Sequence, residues 1–173
     1  MVGPGPHKMS SLAKLVMALG ALLIVAGVMR HGLTIKNILR LWQNLVDRPG
    51  SAMSFRFILQ PSMAVIAAIH DGLEDARSGR SPYFWTVLRA PEERVQRLNE
   101  GLNATAKIIL LGIAMDVIYQ VMVFSEFYPG EAVVIALLLA FVPYLIGRGL
   151  VARAWGSGVR MDAPTKLQNG HRE

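Results

Sequence analysis

The sequence predicts an all-α integral membrane protein with three transmembrane helices. Three observations carry that reading. Apolar runs at 11–29, 108–124 and 132–147 each approach the ~20 residues that a helix needs to cross hydrocarbon. Charged residues make up 17% of the 173-residue chain, against roughly 25% in an ordinary soluble domain. The mean hydropathy is +0.38, and a chain this short has too little interior to hide so much apolar surface from water.

The first run, Ser11 to Met29, follows Lys8 and Lys14 as a signal peptide would. It is long for such a segment and ends in no small-x-small cleavage site, so it reads as a retained helix, stopped at Arg30-His31-Gly32. Residues 1–10 are turn-rich and predicted unordered. Over 33–46, Ile35, Ile38, Leu39, Trp42, Leu45 and Val46 recur on one helical face, with Lys36, Asn37, Arg40, Gln43 and Asn44 on the other. That pattern predicts a helix lying in the headgroup region with Trp42 as its anchor. Asp47-Arg48-Pro49-Gly50 breaks it.

The segment 54–76 has a shorter apolar centre, 57–69, with Gln60-Pro61 near its start. Runs of that length are more often interfacial or re-entrant than spanning, so a second interfacial helix is expected, with a fourth span as the alternative. Further on, Tyr83 and Trp85 suit the water–lipid boundary. Pro91-Glu92-Glu93 predicts a helix start with acids on the positive end of the dipole. That helix is expected to run into the second span. Tyr128-Pro129-Gly130 turns the chain into the third span, making a helical hairpin, and from Trp155 a polar, unordered tail is expected.

Basic residues set the expected orientation. The loop between Phe124 and Ala132 has none and carries Glu126 and Glu131, which places it outside. The C-terminal tail is then cytoplasmic. Laying 54–76 on the cytoplasmic face keeps Arg30, Lys36, Arg40, Arg48 and Arg56 inside, with the N-terminus outside. The alternative of four spans puts both ends inside.

Few residues invite chemistry. Asp116 sits in the middle of the second span, with Tyr119 and Gln120 on the same face. An aspartate there costs about 2.5–3.5 kcal/mol unless paired, protonated or wet, so the stripe reads as interhelical glue or as a proton path. His70, Asp71, Glu74 and Asp75 form an acidic cluster with one-turn spacing, for which a solvated helix end is the plainer reading than a metal site. Asp71-Gly72 through Ala76-Arg77 departs from the CDP-alcohol phosphotransferase motif by one extra residue, and the later paired aspartates are missing. With no cysteine, thiol chemistry and disulfides are excluded. The net charge of +6 flanks apolar segments, where it meets anionic lipid, so no nucleic-acid partner is expected. No cofactor or metal is expected either.

Leu59-Gln60-Pro61, Asp71-Gly72, Gly79-Arg80, Pro82-Tyr83, Asp116 with Ile118-Tyr119-Gln120, Tyr128 through Ala132 and Pro143-Tyr144 together resemble a group of small, uncharacterised bacterial multipass membrane proteins. The resemblance implies a bacterial inner (plasma) membrane location and carries over no site. The leading expectation is a non-enzymatic accessory or assembly subunit of a membrane complex. The alternatives are a small homo-oligomeric transporter or channel subunit using Asp116, and an interfacial lipid-modifying enzyme using the acidic cluster.

Overall fold

The computed structural model describes residues 8–32, 34–47, 54–80, 83–123 and 126–161. The side chain of Trp85 and the tail beyond Met161, both singled out above, lie outside the described residues. Six helices follow one another: α1 (Ser11–His31), α2 (Ile35–Asp47), α3 (Arg56–Arg77), α4 (Tyr83–Arg89), α5 (Pro91–Val123) and α6 (Pro129–Met161). No strand occurs among the described residues. Three helices, α1, α5 and α6, are long and apolar enough to cross a membrane.

Local chemistry sets the ends of α1. The Ser10 hydroxyl accepts from the Ala13 N–H as N-cap, and Asn103 on α5 holds the Ser10 N–H at 2.8 Å. Gly32 ends the helix at φ 68° and donates its N–H to Val28 O. At the other end of the chain, α6 stays helical through Met161, past the Trp155 boundary where the sequence predicts an unordered tail. The start of α5 at Pro91 is as expected, and Arg94 reaches back to accept nothing but donate to the last carbonyls of α4, Val87 O and Leu88 O.

The contacts define the helix directions. Ser10 meets Asn103 and His31 meets Phe127, so α1 runs parallel to α5. Arg56 meets Asp116, Gln60 meets Ile108 O, and Asp75 meets Arg97, so α3 runs antiparallel to α5 along most of its length. Gln60 also meets Ala136 O and Asp75 meets Arg148, so α3 runs parallel to α6. Helices α1, α3, α5 and α6 therefore alternate up and down in one bundle.

Two expectations are corrected by these contacts. The segment 54–76 does not lie across the end of the bundle: α3 packs lengthwise against α5 and α6. Nor does α2 sit opposite the 124–132 loop. Arg40 bonds Glu131 and His31 bonds Phe127 O, which puts the α1–α2 corner at the hairpin-turn end. The N-terminal start of α1 and the Arg148 half of α6 consequently share the other end, whereas the expected arrangement separated them.

Helix α3 is amphipathic in the inverted sense. Its buried residues are Arg56, Gln60, Ala64, Ala68, Gly72 and Asp75, while Ile58, Leu59, Val65, Ile66 and Ile69 are exposed. In water that arrangement would waste most of the apolar area; against lipid it is the favourable one. Small residues bring α3 and α6 together. A Cβ on Gly72 would stand 2.9 Å from Val151 Cβ and 3.0 Å from the Arg148 carbonyl. Because a backbone atom cannot swing aside, Gly72→Ala is expected to destabilise by about 1–3 kcal/mol, the usual overpacking cost. A lowered thermal midpoint in detergent would show it; an unchanged midpoint would mean that α3 and α6 are not held this closely.

Candidate functional site

The polar residues of the bundle gather into two buried ionic ties, and spacing puts them there. Arg56 to Asp75 on α3 and Arg97 to Asp116 on α5 are 19 residues in each case. At 1.5 Å per residue each pair is separated by about 28 Å. Because the helices are antiparallel, the arginine of each meets the aspartate of the other.

The first tie joins Arg56 and Asp116. Arg56 Nη1 donates to Asp116 Oδ1 at 2.6 Å, with the two side chains 2% and 0% exposed. Gln120 Nε2 donates to the second carboxylate oxygen at 2.6 Å. The same amide closes the hairpin turn, since Gln120 Oε1 accepts from the Tyr128 N–H and Nε2 also donates to Tyr128 O. One helical turn below Arg56, Gln60 Nε2 donates to Ala136 O at 3.2 Å and Ile108 O at 3.5 Å, bridging α6 and α5. It has room only because residue 112 is glycine; any Cβ there would collide with the Gln60 amide.

The second tie centres on Asp75. Arg148 on α6 clasps it with two bonds, Nε to Oδ2 at 2.6 Å and Nη2 to Oδ1 at 3.0 Å. Arg97 Nη1 donates to Oδ1 at 3.1 Å. Glu100 accepts from Arg148 at 3.1 Å and Arg97 at 3.4 Å, and Arg80 approaches both acids at 3.7 and 3.8 Å. Arg148 also donates to the Tyr144 hydroxyl, which donates in turn to Asp71 Oδ2 at 2.6 Å. Tyr83 lies beneath: the Arg148 guanidinium carbon is 4.4 Å from its ring centroid, and its hydroxyl donates to Arg97 O. Burial pushes the Tyr83 hydroxyl up to about 12, with nearby Glu100 and Asp75 adding to the rise and Arg148 and Arg97 opposing it, so it remains a donor at physiological pH.

The structure thus brings Asp116 and Gln120 together as their spacing predicts, and buries Tyr119 beside them. It adds Arg56, the partner that the sequence reading assigned to a surface helix. It divides the acidic cluster: Asp75 turns inward to Arg148 and Arg97, Asp71 lies partly exposed between the Tyr144 hydroxyl and His70, whose Nδ1 is 3.2 Å from its Oδ1, and Glu74 is exposed. Among the described residues, no group of three His, Asp or Glu side chains is placed to hold a metal ion. Trp42 is exposed, as an anchor must be. Tyr83 is not an interfacial anchor, because it is fully buried under the second tie. Its hydroxyl needs an acceptor, and Arg97 O supplies one away from any boundary.

A third polar junction joins α2 to the hairpin turn. Arg40 Nη2 donates to Glu131 at 3.2 Å and its guanidinium lies 3.1 Å from the Tyr128 ring centroid. His31 packs tilted against the same Tyr128 ring, with centroids 4.3 Å apart, and bonds Phe127 O. Asn37 donates to the His31 and Gly32 carbonyls that end α1. No family model, characterised protein or solved structure matches this chain.

Proposed function

We propose that the protein is a four-crossing bacterial inner-membrane subunit that works by binding, as an accessory or assembly component of a membrane complex, and not by catalysis or ion conduction. The observation that carries this reading is the full internal pairing of the intramembrane acid. Asp116 spends one oxygen on Arg56 and the other on Gln120, both within the same chain. An acid so engaged holds helices together. It is fully buried within the single chain, which argues against a homo-oligomeric channel lined by Asp116. Asp75 is likewise committed to Arg148 and Arg97, which takes one of its two expected acids from the lipid-modifying reading.

Four crossings follow from α3. Its stretch between Arg56 and Asp75 matches a ~30 Å hydrocarbon thickness, and its outer face is apolar. The Arg97 end also collects Lys8, Arg77, Arg80, Arg89, Arg94, Arg148 and Arg153, against Arg30, Lys36 and Arg40 at the α2 end, with Arg56 drawn into the bundle. The positive-inside rule then makes the Arg97 end, with both chain termini, cytoplasmic.

Because the chain has no cysteine, single cysteines test this directly. In intact cells, an impermeant maleimide is expected to label cysteine at Lys36 or Glu126, and to reach Lys8 or Arg77 only after lysis. Labelling of Lys8 but not Lys36 would restore three crossings with the N-terminus outside. For function, the protein purified into nanodiscs should carry a stoichiometric foreign subunit. A clean homo-oligomer whose ion flux is lost in Asp116→Asn, with assembly intact, would overturn the reading in favour of transport.

A further inference from the structure

Beneath α2, at the hairpin-turn end, a crevice of about 260 Å³ opens between α1 and α6. Its floor and walls are apolar: Ile24, Gly27 and Val28 of α1, Ile38 and Leu41 of α2, and Val134 of α6. Its rim is polar, formed by His31, Asn37, Arg40, Tyr128 and Glu131. The division follows the helix directions, since the last turn of α1 and the first of α6 bring their polar ends to the same height as α2.

We propose that this crevice seats a phospholipid with an anionic headgroup, one acyl chain lying along the apolar floor and the headgroup phosphate resting against Arg40 at the polar rim. Three observations favour that occupant. The crevice opens onto the lipid-exposed surface, because Ile24, Val28 and Ile38 line it and are themselves exposed. A lipid can therefore enter sideways without crossing water. The volume lies just below the ~300 Å³ at which pockets begin to hold bulkier ligands, and its narrow apolar walls fit part of one chain. The rim presents one cation to an incoming phosphate: Arg40 lines it and remains 29% exposed while bonded to Glu131. Partial neutralisation by Glu131 leaves Arg40 fixed in orientation, held between the acid and the Tyr128 ring, as a preorganised contact for phosphate.

The junction also explains why α2 needs a companion. Asn37, Arg40, Leu41 and Leu45 turn partly toward the bundle, whereas Ile35, Ile38, Leu39, Trp42 and Val46 face outward. A chain inserted under the helix would fill the space that its inward side chains leave between α1 and α6.

The test uses the whole protein in nanodiscs of mixed phosphatidylglycerol and phosphatidylethanolamine, with a phosphatidylglycerol carrying a diazirine in its acyl chain. Photolabelling of the wild-type protein is expected to concentrate in peptides covering 24–41 and 128–134. Native mass spectrometry should show one phosphatidylglycerol retained after detergent washing. Val134→Phe, which fills the crevice, should abolish both signals with the thermal midpoint preserved. Arg40→Gln should reduce the preference for phosphatidylglycerol about fivefold, the effect of one cation at an anionic surface. Labelling spread evenly over all lipid-facing peptides of the wild type would overturn the proposal whether or not either variant folds. Equal retention of the two lipids would overturn its headgroup assignment.

Discussion

Replacing Asp116 by leucine, or Arg56 by methionine, is expected to destabilise the bundle by about 3–5 kcal/mol in either case, because each leaves a buried charge without its counter-ion. The double replacement should recover most of that loss, since two apolar side chains of similar size remove both desolvation penalties together. Denaturation by SDS in mixed micelles, followed by circular dichroism or gel mobility, measures all four corners of the cycle. Additive single effects would mean that the two side chains are not coupled and that the 2.6 Å bond is not made in the membrane. The same cycle separates glue from proton handling. If Asp116 moved protons, Asp116→Asn would spare stability and abolish flux; as glue, it costs stability.

Replacing Asp75 by asparagine should have the largest effect of any single substitution, at the upper end of the ~3–5 kcal/mol that losing one partner of a buried ion pair costs. This one carboxylate takes three of the hydrogen bonds from Arg97 and Arg148. Without its charge, the two guanidiniums crowd together with Glu100 as their remaining close acid. Against a total stability of about 5–15 kcal/mol, that loss removes a large share of the folded population. Size-exclusion profiles should show aggregation or loss of the monodisperse peak. Glu100→Gln, at a site nearer the surface, should cost only about 1.5–3 kcal/mol, in line with hydrogen bonds to charged groups. Equal effects of the two substitutions would deny Asp75 its central place.

The helices α1, α5 and α6 were legible because they are apolar around most of their circumference, so averaging along the chain registers them. Averaging hides α3. Its arginine, glutamine and aspartate point into the protein, where α5 and α6 supply their partners, and its exposed isoleucines and valine are diluted in any window. The information was nevertheless present as a pattern: small or polar residues at 56, 60, 64, 68 and 72, and an Arg–Asp spacing that α5 repeats. The contact between α2 and the hairpin turn has no counterpart in the distribution of Lys and Arg, because Arg40 is held there by Glu131 and Tyr128. Asp116 and Gln120 were visible as polar positions within an apolar run; Arg56 was not, because it precedes the apolar run of its own helix. Tyr83 sits near Trp85 in sequence, but its burial is set by Arg148 and Arg97, which are distant in the chain.

The inverted face of α3 also bears on how the chain is made. On the four-crossing reading, the segment leaves the ribosome before either helix that neutralises it. Arg56 waits for Asp116, and Asp75 waits for Arg97 and Arg148. Until α5 and α6 emerge, the translocon holds a segment whose charges have no answer and whose partition into lipid is poor. Such a helix is committed to the bilayer late and together with its partners, so on that reading biogenesis is gated by α5 and α6, the C-terminal half of the polypeptide.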